Sequence, residues 1–352
     1  SGYIEFDNFD YGPIFSTFGY NDVEGIRVRA GGRTYFGRND PWRIEGYTAY
    51  GFKDNKFKYG LSGKILVDQR SRLILSGGNR RDIEQLGASL TNTNDVLGRS
   101  LASSSLITVG SNTSLTNINL STFALEIEPL KNFEVRFGGS YRTLRSASDQ
   151  FSLDYYTNEE QTEIASEIDQ TEISTMLTYS PGRKTTGYGV ERTVINDGDF
   201  PRLFLNYAVG IKDVFSSDFE YEKVQFYYRH PWQLGGVGKL TTTLEAGKTF
   251  GEVPLGLLNV VPGNQTLFSI YGTYPLLDFY EFVTDTYTSV HLEHNFNGRF
   301  LGRIPLLRDL NLREIVAVRA VTGSISDENQ TLNASYSNPV LMAPSNKPYW
   351  SY

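Results

Sequence analysis

Across residues 202–212 the chain alternates. Leu203, Leu205, Tyr207, Val209 and Ile211 point one way, and Arg202, Phe204, Asn206, Ala208, Gly210 and Lys212 the other. A period of two marks a strand with two different faces, and roughly ten residues is what a tilted strand needs to cross a bilayer. The same rhythm recurs at 25–35, 42–52, 57–67, 72–80, 120–128, 133–144, 172–180, 221–232, 239–250, 286–296 and 313–321. With a short first strand at 11–18 and the opening of another at 348–352, the pattern predicts about fourteen strands. Repeated along a whole chain with aromatics at segment ends, it predicts an all-β fold, an antiparallel transmembrane barrel of the outer-membrane type.

The connections set the orientation. Barrels of this kind have short periplasmic turns and long external loops. With the first strand running outward, 86–117, 145–169, 251–285 and 323–347 fall outside, the first two of them polar loops without a core pattern. The turns at 37–41, 131–132 and 234–238 fall inside. Residues 181–201 must then be one longish inner turn, since two more strands there would reverse every later face.

Composition refines this picture. The 352 residues carry a net charge of -7, and 14% are aromatic, with 23 Tyr and 22 Phe against 3 Trp. Rings with one wet end suit a bilayer interface. A mean hydropathy of -0.34 is compatible with a barrel, because half of every strand faces a polar interior. No run approaches the roughly 18 apolar residues of a membrane helix. The absence of cysteine excludes disulfides and thiolate metal sites. The acidic balance argues against a nucleic-acid partner. The chain opens at Ser1-Gly2-Tyr3 without a basic and apolar leader, so it reads as a mature segment whose signal peptide has been removed. The whole of 1–352 reads as a single barrel domain.

Charges at mid-wall are costly on the lipid side. Arg27, Arg29, Arg43, Glu45, Lys64, Glu134, Arg136, Lys212, Lys223, Arg229, Glu245, Glu293 and Arg319 are therefore expected to line the lumen. They read either as ion pairs filling a closed interior or as the lining of a charged channel. His291-Leu292-Glu293-His294 is not a zinc motif, because on a strand the two histidines face opposite ways. His294 beside Phe296, and His230 beside Trp232, read as interfacial residues. Gly247-Lys248-Thr249 lacks the earlier glycine of a P-loop, Thr242 standing there. No catalytic constellation, metal site or cofactor site is expected, and the chain does not read as an enzyme.

The external loop at 251–265 is different. It contains Pro254, Leu257, Leu258, Asn259, Pro262, Gly263, Asn264 and Gln265 and is less polar than the other outer loops. An exposed loop that apolar is unfavourable in water. It either folds back into the barrel or packs on a partner, and these residues are the candidate gating or partner-binding element.

Several stretches resemble one family. They are 21–27 (Asn-Asp-Val-Glu-Gly-Ile-Arg), 46–53, Leu205-Asn206-Tyr207, 245–251 (Glu-Ala-Gly-Lys-Thr-Phe-Gly), 260–265 (Val-Val-Pro-Gly-Asn-Gln), Tyr280-Glu281-Phe282, and 291–306 with its His-x-Glu-His-x-Phe-x-Gly. The chain is similar to a Bacteroidota outer-membrane barrel family described only as a domain of unknown function, found behind a carboxypeptidase-regulatory-like β-sandwich. The resemblance implies an outer-membrane location, an upstream periplasmic domain and further C-terminal strands. The strand plan is also similar to the barrel-assembly superfamily, whose sixteen-stranded barrels insert or export proteins. That similarity implies about sixteen strands when complete, and it places 251–265 where that superfamily has its inward-folding loop. The superfamily's Arg-Gly-Phe/Tyr signature is absent, and Pro262-Gly263-Asn264 stands instead. The expected function is assistance in protein or lipid insertion or translocation. The expected partners are outer-membrane lipid and other outer-membrane or periplasmic proteins. The alternatives are an accessory subunit of a larger complex and a passive channel.

Overall fold

The computed structural model describes residues 2–37, 39–86, 113–196, 198–263, 272–274, 277, 280–334 and 348–351. Sixteen strands form one sheet. Three short ones open it: β1 (Ile4–Phe6), β2 (Phe9–Tyr11) and β3 (Phe18–Asn21). Twelve long ones follow: β4 (Gly25–Thr34), β5 (Trp42–Gly51), β6 (Lys56–Asp68), β7 (Leu73–Glu84), β8 (Thr116–Leu130), β9 (Phe133–Ser146), β10 (Glu167–Tyr179), β11 (Arg202–Ile211), β12 (Tyr221–Gln233), β13 (Lys239–Phe250), β14 (Thr286–Asn295) and β15 (Ile315–Ser324). The last is β16 (Tyr349–Ser351). Every pairing is antiparallel between chain neighbours, except that β2 and β3 both pair with β4.

The expected first strand at 11–18 is corrected. Pro13 has no N–H to donate to a ladder, and Ile14–Ser16 form a 3-10 turn. The wall position is therefore shared by β2, against the inner end of β4, and β3, against its outer end. The backbone N–H groups of Gly12 and Arg29 bridge the gap. Residues 181–201 add no wall strand, as the parity argument requires. Among the described residues they hold a small hairpin between Thr185–Thr186 and Thr193–Val194.

The alternation divides the wall as the sequence implies. In β11, Phe204, Asn206 and Ala208 are buried while Leu203, Leu205 and Tyr207 are exposed. In β14, Tyr287, Ser289 and His291 are buried while Leu292 is exposed. The outward side chains include Ile26, Ile44, Phe57, Leu61, Phe123, Phe137 and Ile173, an apolar belt far wider than a water-soluble surface carries.

The sheet curls round an interior. The Val190 N–H, between β10 and β11, donates to the Asp40 carbonyl, between β4 and β5, at 2.7 Å. Those turns are several strands apart in the sheet order and meet only if the wall bends round an interior. Among the described residues no hydrogen-bonded ladder joins β1 to β16. No helix among the described residues is long and apolar enough to cross a membrane.

Candidate functional site

The interior of the curled sheet is filled by the chain itself. The path inward begins at Gly251, where φ is +100° and an added Cβ would lie 2.9 Å from the Glu220 carbonyl. Only glycine makes that turn comfortably. From Val253 to Gly263 every residue is buried except Gly256, which is half-buried. The helix α2 (Asp327–Leu332) holds the root of this loop. Val253 N–H donates to Asn329 Oδ1 at 2.8 Å, and Leu255 N–H to Asn333 Oδ1 at 2.6 Å.

The middle of the loop is a 3-10 turn, Leu255–Leu257. Its leucines share one apolar cluster with Ile118 of β8, Leu144 of β9, Ile168 of β10 and Tyr221 of β12. None of those strands neighbours β13 across a ladder except β12, so the loop reaches across the interior. At Gly256 a Cβ would lie 2.9 Å from Ile168 Cδ1 and 3.1 Å from Leu144 Cδ1; there is no room for a side chain. Lys223 Nζ, on the inner face of β12, donates to the Leu257 carbonyl at 2.8 Å.

Beyond it, Asn259–Val260 pair with Val283–Thr284. Gly263 bridges to Tyr274, whose N–H donates to the Pro262 carbonyl at 2.8 Å. The loop is apolar because it is part of a core, which selects folding back over an exposed contact surface. Of the candidate residues, Pro254, Leu257, Leu258, Asn259, Pro262 and Gly263 lie buried there. Asn264 and Gln265 lie outside the described residues. The external segment 145–169, expected to be polar, contributes Leu153, Tyr155 and Ile168 to the same cluster.

Many of the interior charges are paired or hydrogen-bonded. Arg27 donates to Glu24 at 2.8 Å and to both oxygens of Asp82 at 2.7 and 3.0 Å. Lys58 meets Glu24 at 2.7 Å, and the Tyr47 hydroxyl donates to Asp82 at 2.5 Å. Arg29 donates to Ser16 Oγ at 2.5 Å and stacks over the Tyr47 ring. Arg142 joins Glu172 at 2.9 Å. Arg229 donates to the Gly198 carbonyl at 3.2 Å. Arg319 Nε donates to His291 Nε2 at 2.9 Å, and its Nη1 to the Thr273 carbonyl. Arg136 stands on β9 opposite Glu126 and Met176, and Glu245 on β13 opposite Tyr227 and Ser289. Glu293 is half-buried on β14. Lys212 is a correction: it lies one residue past β11 and is exposed, because the ladder with β12 ends at Gly210.

The other histidines are packed on aromatics. His294 stacks on Phe296 with ring centres 4.1 Å apart, and His230 on Trp232 at 3.8 Å. Gly247 lies beneath the Tyr287 ring, where a Cβ would come within 2.4 Å of Cε1; its segment is wall.

A second element was not apparent from the sequence. Residues 181–201 form a strap across the inner mouth. Tyr188 N–H donates to Asn39 Oδ1 at 2.9 Å. Arg72 donates to the carbonyls of Gly189 and Val190 at 2.6 and 3.1 Å. Glu191 receives Arg43 and Lys64. Arg192 joins Glu128, and Arg183 joins Glu134 at 2.6 Å. The signal was a charged inner turn, Arg183, Glu191 and Arg192, facing opposite charges at strand ends.

Burial pushes the Glu191 carboxyl up, but Lys64 and then Arg43 outweigh it and hold the group below the usual carboxylate range. A depressed value means that the contribution is complete above the ordinary glutamate pKa. It is lost as pH falls through the lower folded value. Glu191→Gln is expected to loosen the strap by about 1–2 kcal/mol, less than a fully buried pair, because the carboxylate is partly exposed and screened. Protection of the Val190 amide against hydrogen exchange measures this. It should fall on acidification in the native chain and be lower and pH-independent in the variant.

Comparison with known proteins gives the frame for these features. In fold the chain is similar to BamA from Haemophilus ducreyi, in a crystal structure lacking POTRA domains 1-3. The TM-score is 0.52 and the identity 14%, over 94% of this chain and 60% of that one. The chain thus spans about 60% of the length of that structure, and the likeness is one of fold. None of the curated proteins matches. The model of the family of unknown function DUF5686, C-terminal domain, matches residues 3–329. The chain therefore belongs to the DUF5686 family, to whose C-terminal domain nearly all of it corresponds.

Proposed function

We propose that this chain is an integral barrel of the bacterial outer membrane that assists the insertion or translocation of proteins or lipids there. The observation that carries the reading is the loop from Gly251 to Gly263. It is a segment of the barrel's own chain, packed across the interior on β8, β9 and β10, in a fold similar to BamA. Its ends are tied to α2 and to Val283–Thr284, both external to the wall, so it is placed to couple events at the outer mouth to the interior. The first and last strands provide the edge along which a client would engage. No catalytic step or cofactor enters this reading.

A passive channel fits less well, because the described interior is occupied by paired charges and the loop core. An accessory role in a larger complex is the second reading, favoured by the rigid ion-pair network around Arg27. Deleting residues 255–265 separates the two readings. The barrel should remain folded, and the levels of other surface proteins in the membrane should fall. Unchanged surface proteins, with a stoichiometric partner lost instead, would favour the accessory role.

A further inference from the structure

The connection between β14 and β15, residues 296–314, lies at the inner end of the wall and differs from every other inner turn. It is not a loose loop. A 3-10 turn, Leu301–Arg303, runs into the short helix α1 (Pro305–Arg308). Glu314 closes the segment by accepting the N–H groups of Phe300, at 3.0 Å, and Leu301. Arg299 and His294 tie its base to the carbonyls of Gly236 and Val237 in the adjacent turn.

Nothing in these two short helical turns is buried. Leu306 is 86% exposed, Leu310 62% and Phe300 53%. An ordered segment that leaves such side chains out is unfavourable in water. Interleaved with them are Arg299, Arg303, Arg308 and Arg313, against only Asp309 and Glu314. The segment is net positive on a chain of net charge -7.

Two observations say what covers it. First, the patch is continuous with the apolar belt. Val316 and Val318 of β15 and Leu292 of β14 lead toward it on the outer face, joined to it by the stacked rings of His294 and Phe296, and Leu234 and Val237 of the neighbouring turn flank it. Second, its charge complements an anionic surface. Apolar side chains beside a ring of arginines are the composition of an interfacial anchor.

We propose that residues 296–314 dock onto the inner-leaflet surface of the membrane, with Phe300, Leu306 and Leu310 at the headgroup–acyl boundary and the arginines on anionic phospholipid headgroups. This rests on the membrane-barrel reading and adds a site of lipid recognition to it. It gives β15, close to the end of the sheet, an anchor that holds its inner end at a fixed depth.

The chain has no cysteine, so single thiols can be introduced for spin labelling. Leu306→Cys is labelled in the full chain, reconstituted in phosphatidylcholine nanodiscs with and without phosphatidylglycerol. Leu205→Cys on the belt serves as the control. Power saturation then reports depth against oxygen and a water-soluble nickel reagent. The expected result is a deep Leu205→Cys and a Leu306→Cys at headgroup depth, with the second sinking further when phosphatidylglycerol is present. Each arginine replaced by glutamine in Arg303, Arg308 and Arg313 is expected to weaken the phosphatidylglycerol preference on the order of fivefold at low salt.

A wet Leu306→Cys beside a deep Leu205→Cys overturns the anchor alone; wet labels at both overturn the membrane reading itself. A shielded Leu306→Cys indifferent to phosphatidylglycerol and to the arginines overturns the headgroup assignment. Retained heat-modifiable gel mobility confirms that the variants are folded.

Discussion

Replacing Leu255 and Leu257 together by alanine is expected to release the internal loop while leaving the wall standing. The two side chains are 1% and 2% exposed and belong to a cluster supplied by four wall strands, the loop itself and neighbouring connections that include Leu153, Tyr155 and Tyr280. Truncating a buried leucine costs about 2–5 kcal/mol. Since these two share neighbours, their effects will not add simply. The loss falls on docking rather than on the wall, because the ladder from β4 to β15 does not use these residues. Limited proteolysis should therefore cut between 251 and 263 in the variant and not in the native chain, with the heat-modifiable gel shift retained. Conductance across a planar bilayer should rise as the loop vacates the interior. A protected loop in the double variant would contradict the packing argument, and loss of the gel shift would show the loop to be a folding requirement of the wall.

The second large effect concerns Arg27. Its side chain is 2% exposed, and those of Glu24 and Asp82 are 1% and 0%. Arg27→Met keeps the length and removes the charge. Lys58 still meets Glu24 and Tyr47 still donates to Asp82, but the guanidinium that bonded both carboxylates is gone from a sealed place, and Lys58 is already shared with Asp54. Breaking a buried pair from one side costs about 3–5 kcal/mol, whereas replacing both partners by apolar groups is often nearly neutral. Arg27→Met should thus lower the midpoint of urea unfolding in detergent by that amount. Arg27→Met with Asp82→Leu should recover most of it. Equal losses in the single and double variants would mean that the guanidinium acts through packing alone.

The wall was legible in the sequence because an apolar outer face and a polar interior impose a period of two on each strand. Thirteen of the fourteen predicted strands exist, and the first, at 11–18, is interrupted by the turn at Ile14–Ser16. The remaining pieces of the sheet are Ile4–Phe6 and the second half of the first strand, split at Pro13. Strand ends were less legible. β7 runs to Glu84 and β10 starts at Glu167. At the outer rim both faces meet polar groups, as Arg81, Asp82 and Glu84 show, and the alternation fades while the ladder continues.

The odd apolarity of 251–265 was visible, but its destination depended on Ile118, Leu144 and Ile168, whose proximity to the loop is a property of the curled sheet. The strap at 181–201 was read correctly as one turn. Its docking was not legible, because Glu191 finds Arg43 only across 148 positions of chain. The arginine-rich segment after β14 carried its own signal in the spacing of leucine and arginine, which does not follow the period of two.

The chain fills its own barrel, with Gly256 seated against β10. The close approach of Gly256 to Ile168 Cδ1 permits a direct test in this cysteine-free chain. In the double variant Gly256→Cys with Ile168→Cys, the new thiol of one takes the space vacated by the other. Mild oxidation in the native membrane is expected to link the two, giving a faster-migrating species on denaturing gels that reductant abolishes. Two thiols that stay unlinked while both react with an impermeant maleimide from outside would contradict it.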